Sequence, residues 1–229
     1  MMLKYYYDLV SQPSRAIFLF LNKTKIPFKK CRVDLGKAAH KEEEYKAIHP
    51  FQQVPAIDDG GFKMIESVAI LRYLCRAYPD HVADHWYPAD VKQQARVDEY
   101  LEWQHAHIRF HGSMYFQHKW LLPKLSGEPP KQSSVDRFQA GLETALDHIE
   151  TIWLKDRSFL AGDQITIADL LGVCEVLQPT MAGYDVFKDR AVLSKWFENV
   201  KGQVGPELDQ ANFVLNKIAA NSAIQQAKL

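Results

Sequence analysis

Ser11, the pair His40-Lys41, the step Val54-Pro55 and the pair Glu66-Ser67 are the residues whose types and spacing suggest chemistry. Ser11 stands between a β-prone run and a helical pattern opened by Pro13. Its hydroxyl therefore lies beside a helix N-terminus, where unpaired N–H groups carry partial positive charge. No G-x-S-x-G elbow occurs and no nearby residue supplies a base, so covalent nucleophilic work is not supported. The chemistry that fits is hydrogen-bond donation to a bound anion. Were that anion a thiolate, the same surroundings would lower its pKa toward neutrality. The plainer alternative is that Ser11 only caps its helix.

Pro55 lacks an N–H for a strand ladder and belongs at an edge or bend. A cis Val54–Pro55 bond would let Val54 offer its N–H and C=O to an extended, peptide-like ligand. Ser67 is expected as the N-cap of the apolar helix that follows, a place suited to a carboxylate, with Glu66 ready for an ammonium. Together they would grip a zwitterionic amino-acid end, or simply form a capped helix. His40 and Lys41 lie in a polar loop, either within reach of a ligand carboxylate or solvated. His107 and His111 share a helix face at i, i+4, but no H-E-x-x-H is present and no metal is expected. Trp103, His107 and Phe110 are read as lining or packing residues.

Elements to position these groups follow from periodicity. Leu3 to Leu9 reads as a strand, Pro13 to Thr24 as a helix, and Phe28 to Val33 as a second strand. Gly36 to Glu44 reads as a loop entering a short helix. Val54 to Ile57 and Phe62 to Ile65 read as a hairpin around Asp58-Asp59-Gly60-Gly61. A helix then runs to about Tyr78. This order predicts a small mixed sheet covered by helices over residues 1–80. A proline-bounded linker, Pro79 to Pro88, leads to residues 88–229, where only helical patterns appear. These include Asp90 to Leu122, an apolar helix opened by the capping-box sequence Thr166-Ile167-Ala168-Asp169, and a last helix from Leu208 to Ala227.

Composition sets outer limits. The chain has 229 residues and zero formal net charge, which gives no reason to expect nucleic acid or an anionic membrane as partner. Its three cysteines are far apart, which disfavours a zinc site or disulfide framework and fits a reducing compartment. No leader and no membrane-spanning run is read, so a cytoplasmic location is expected.

Four stretches carry a family resemblance: Tyr7 to Ala16, Val54-Pro55-Ala56, Glu66 to Leu74, and Arg96 to His105. They resemble the cytosolic glutathione S-transferases, theta class. The resemblance implies a thioredoxin-like glutathione-binding domain followed by a helical domain that supplies the electrophile pocket. It implies that Ser11 stabilises the glutathione thiolate and that His40 and Lys41 sit near the glycine carboxylate. Val54, before cis Pro55, would pair with the cysteinyl main chain, while Glu66 and Ser67 hold the γ-glutamyl end. Gln53 is a further glutathione contact, and Gln104 would approach the glutathione of a partner subunit in a homodimer. Glutathione would be co-substrate, with no other cofactor. Small halides, epoxides and hydroperoxides would be the electrophiles. Rival expectations are a non-catalytic binding protein of the same fold and a thiol–disulfide oxidoreductase, the latter disfavoured by serine at position 11. Many theta-class chains continue past this length, so a more open pocket is expected here.

Overall fold

The computed structural model describes residues 2–226. Its first half contains β1 (Leu3–Tyr7), α1 (Gln12–Thr24), β2 (Phe28–Arg32), α2 (Glu43–Lys46), β3 (Ala56–Asp59), β4 (Phe62–Ile65) and α3 (Ser67–Ala77). The strands form a four-stranded sheet in the order β2-β1-β3-β4. β1 and β2 are parallel, and the other pairs are antiparallel. The expected hairpin is present, with Gly60 and Gly61 at φ 62° and 103° and the Gly61 N–H donating to Asp58 Oδ1 at 2.8 Å. Its first strand starts later than the sequence suggests, at Ala56 rather than Val54. The reason is local: Val54–Pro55 is cis and Pro55 has no N–H, so pairing begins with Ala56 opposite Ile65. The polar stretch after β2 makes two 3₁₀ turns, Leu35–Lys37 and Ala39–Lys41, before α2.

The second half is helical. Asp90 caps α4 (Val91–Gln104) by accepting from the N–H groups of Lys92 and Gln93 at 3.1 and 2.9 Å. The helix continues through a π turn (His105–Arg109), α5 (Phe110–Phe116), a second π turn (Gln117–Leu121) and α6 (Leu122–Ser126). It stops only where Gly127 turns left-handed, four residues beyond the expected Leu122. Next come α7 (Gln132–His148), α8 (Ile167–Leu177), α9 (Ala191–Val204) and α10 (Glu207–Gln226). The expected last position of the final helix, Ala227, and the chain end at Leu229 lie outside the described residues. The capping box at Thr166 and Asp169 is formed, and every residue of α8 is buried. Pro179 cannot continue that helix, and Gln178–Ala182 tightens to 3₁₀. Among the described residues, no helix is long and apolar enough to cross a membrane.

α8 is the spine of the molecule, with α1 packed on one side and α4 and α9 on others. Gly172 permits this closeness: a Cβ there would meet Leu160 Cδ1 at 2.5 Å and the Tyr100 hydroxyl at 2.9 Å. Gly172→Ala is expected to destabilise the fold by about 1–3 kcal/mol, since overpacking outweighs the gain in helix propensity of about 1 kcal/mol. Urea unfolding checks this; a variant as stable as the parent would contradict the packing described.

Candidate active site

A cleft of about 440 Å³ opens between the two halves. Val10, Ser11 and Gln12 contribute from the β1–α1 turn, His40 and Lys41 from the second 3₁₀ turn, and Gln52, Gln53 and Val54 from the segment before the cis bond. Ser113, Phe116, Gln117, Leu121 and Gln178 form the helical wall. A second hollow of about 460 Å³ lies between the Leu154 to Ser158 segment and α9. The start of α9 at Ala191 and Val192 lines it, but it holds none of the candidate chemical residues singled out by the sequence.

The turn carrying Ser11 is held from several directions. Asp8 accepts from Val10 N at 2.9 Å and from Leu35 N at 3.1 Å, and Ser11 N donates to the Asp8 carbonyl at 3.0 Å. Ser11 is the N-cap of α1, and its Oγ accepts a long bond of 3.4 Å from Ser14 N. Capping uses an oxygen lone pair and leaves the hydroxyl proton available for donation. Behind the turn lies Arg15, fully buried. One guanidinium nitrogen donates to the carbonyls of Leu9 and Val10 at 3.1 and 3.3 Å. The other donates to the Cys174 carbonyl at 2.9 Å and to Gln178 Oε1 at 2.8 Å. Gln178 closes the loop by donating to the Val10 carbonyl at 3.4 Å.

The opposite lip is also tied. The Tyr45 hydroxyl donates to the Gln53 carbonyl at 2.7 Å, and Gln52 Nε2 donates to the Lys41 carbonyl at 2.9 Å. The His40-Lys41 turn and the Gln53-Val54 segment are thereby set beside each other. No hydrogen bond joins the Val54 main chain to other described residues. Burial lowers the pKa of His40 below its ordinary value, and the charge of Lys41 adds to this, so the ring is neutral at pH 7.

Glu66 and Ser67 differ from the expected arrangement. Glu66, not Ser67, occupies the N-cap position, in a left-handed conformation (φ 68°, ψ 108°) and without a side-chain cap bond. A non-glycine residue held there costs on the order of 1 kcal/mol. Ser67 is the first helical residue and is buried, with its Oγ accepting from Arg109 at 3.1 Å. Arg109 also pairs with the buried Glu175 of α8 at 2.8 Å. Burial pushes the Glu175 carboxyl up, and Arg109 opposes that shift.

Ser11, His40, Lys41, Gln53 and Val54 thus share one cleft, whereas Pro55, Glu66, Ser67 and Gln104 do not line it. Pairing of Ala56 with Ile65 nevertheless brings Glu66 alongside Pro55 at the cleft's edge. Gln104 is fully buried in α4, with Nε2 donating to the Leu101 carbonyl at 3.3 Å. Trp103 and His107 stack on each other, and Trp103 packs near Trp153, away from the cleft. Phe110 lies against Phe138. The sequence reading missed Arg15, Gln178, Ser113 and Gln117. Arg15 and Gln178 are 163 residues apart, so no local pattern could have joined them. Among the described residues no cluster of three or more metal-ligating side chains occurs.

Comparison with known proteins agrees with this architecture. Residues 2–76 match the glutathione S-transferase N-terminal domain, and residues 114–203 match the glutathione S-transferase C-terminal domain. The chain is 44% identical to glutathione S-transferase theta-1 of Bos taurus over 208 residues, covering 91% of this chain and 86% of that protein. Identity to the theta-1 enzyme of Homo sapiens is 41%, with the same coverage. Human glutathione-S-transferase T1-1 in its apo form superposes with a TM-score of 0.90 at 39% identity, over 95% of this chain and 91% of that one. A human theta-class transferase bound to the glutathione conjugate of 1-menaphthyl sulfate gives 0.91, also at 39%, over 99% and 92%. With both domains matched in order and both halves of the cleft in place, this chain belongs to the glutathione S-transferase family, theta class.

Proposed function

We propose that this protein transfers the sulfur of reduced glutathione to small apolar electrophiles, with Ser11 as the hydroxyl that stabilises the thiolate. The observation carrying this reading is the Ser11 hydroxyl, its proton uncommitted, at the N-terminus of α1 and inside the cleft that also holds Val54. The solved theta-class relative with a bound glutathione conjugate supports it. Glutathione enters as co-substrate, and the chemistry needs no further cofactor. Its cysteinyl main chain pairs with Val54, as an added strand would. Glu66 takes the γ-glutamyl ammonium at the cleft's edge, and the N-terminus of α3 at Ser67 takes the carboxylate. Lys41, with neutral His40 as a hydrogen-bond donor and Gln53 beside it, holds the glycine carboxylate.

Ser11 and the partial positive charge of α1 stabilise the ionised sulfur, whose proton leaves to solvent. The thiolate pair forms the new S–C bond while the leaving group departs with the electrons of the bond that breaks. The protein contributes anion stabilisation and proximity, with the electrophile held against Phe116 and Leu121. Detoxification in the cytosol as a homodimer is the setting this reading implies.

Turnover with glutathione and a primary alkyl halide tests the function; binding without turnover would instead favour a non-catalytic ligand-binding protein. Lys41→Ala should weaken glutathione binding about two- to fivefold, as expected for an exposed charge pair worth up to about 1 kcal/mol. The difference from wild type should shrink as salt rises. Calorimetry at two ionic strengths reads both effects, and a salt-independent loss would remove Lys41 from the carboxylate site.

A further inference from the structure

Arg15 is a cation placed where stability alone would not put one. It lies in the first turn of α1, at the positive end of the helix dipole, and no acidic residue accompanies it in that turn. It is fully buried, yet no carboxylate approaches its guanidinium within 4.0 Å among the described residues. Its partners are the neutral Leu9, Val10 and Cys174 carbonyls and the Gln178 amide, and its Nε has none. Buried charges are ordinarily paired, and an unpaired one costs several kcal/mol.

We propose that Arg15 is retained as a fixed buried charge whose field, acting one helical turn behind Ser11, stabilises the thiolate bound in the cleft. This inference rests on the transferase reading above. The neighbouring charges offset that field only in part. On α8, the Glu175 carboxyl acts on Arg15 from a distance but makes its ion pair with Arg109, and burial pushes the Cys174 thiol up to about 12, so it is neutral. In the β1–α1 turn, Asp8 is occupied by the N–H groups of Val10 and Leu35. His40 and Lys41 are the titratable side chains lining the cleft itself, and neither is an anion at pH 7. Low-dielectric surroundings transmit a charge further than water does, so Arg15 need not touch the sulfur to matter. The surrounding bonds keep the charge aimed: they tie it to both carbonyls preceding Ser11 and to a residue that lines the helical wall.

The test is the ionisation of glutathione bound to the full-length protein, followed by ultraviolet absorption across pH. Arg15→Met removes the charge at similar length. Arg15→Lys keeps the charge but loses the fork. Gln178→Glu keeps a partner for Arg15 and pairs its charge, and it serves if Arg15→Met does not fold. Arg15→Met and Gln178→Glu should raise the bound thiol's pKa by about one unit or more, as loss of a nearby opposite charge does. The rising limb of kcat/KM should move to higher pH with it. Arg15→Lys should restore much of the shift despite its lost hydrogen bonds. A purely structural role would make Lys and Met equally damaging to the titration. If folded variants bind glutathione with the wild-type titration, the inference is overturned while Ser11-dependent turnover stands. If wild type itself shows no lowered thiol pKa, the transferase mechanism fails with it.

Discussion

Ser11→Ala is expected to lower kcat/KM for glutathione conjugation about 10²- to 10³-fold, the usual loss when one preorganised donor to a developing anion is removed. The fold should survive. The cap bond that Ser11 makes is long, 3.4 Å, and replacing a capping serine costs about 1 kcal/mol. The turn is held independently by Asp8 and Arg15. Binding should persist, because the contacts proposed for the tripeptide's main chain and termini lie elsewhere. What changes is the thiol: without the hydroxyl its pKa rises, so the deficit is largest at low pH and narrows as pH climbs. Stopped-flow or steady-state rates from pH 6 to 9, with calorimetric binding at each end, measure this. Full activity over that range would remove Ser11 from the chemistry.

The largest expected stability effect lies away from the cleft, at Asp169. This carboxylate is fully buried and accepts from Leu160 N at 2.8 Å, Thr166 N at 2.9 Å, the Thr166 hydroxyl at 3.2 Å and Trp196 Nε1 at 2.9 Å. It therefore ties the start of α8 to the preceding loop and to α9. Asp169→Ala leaves these buried donors without their acceptor, each worth about 1–3 kcal/mol when unsatisfied. A total loss of about 3–5 kcal/mol is expected, enough to threaten folding at ordinary stability. Asp169→Asn, which keeps one acceptor oxygen, should lose less. Thermal and urea unfolding of the two variants read the difference; a loss below about 1 kcal/mol for alanine would contradict the network's role.

Local chemistry made much of this molecule legible in advance. Asp58 to Gly61 announced a hairpin because glycine supplies the positive φ the turn needs and Asp58 receives its N–H. Thr166 and Asp169 announced a helix start because the reciprocal bonds depend only on three-residue spacing. Ser67 was misplaced by one position because nothing local shows that Glu66 will take the left-handed cap. The π turns were invisible, since they shift the ladder inside an unbroken helical pattern. Gln104 was named from the family resemblance alone, and its burial in α4 follows from packing that no local pattern shows. The placement of Ser11 at a helix start and of Val54 before the cis bond was legible from strand and helix boundaries. Arg15, Gln178 and the Ser67–Arg109–Glu175 chain depend on how the halves dock, which no window of sequence contains.

The bonds crossing that junction bear on how the gene can be cut. Arg15 spans it to Cys174 and Gln178, and Ser67 spans it to Arg109. An excised segment ending near residue 80 would expose a stranded guanidinium and the apolar side of α1 that α8 normally covers. Such a fragment should aggregate rather than serve as a portable glutathione tag. Grafting the tripeptide-binding half onto another scaffold would require a substitute for α8 as well.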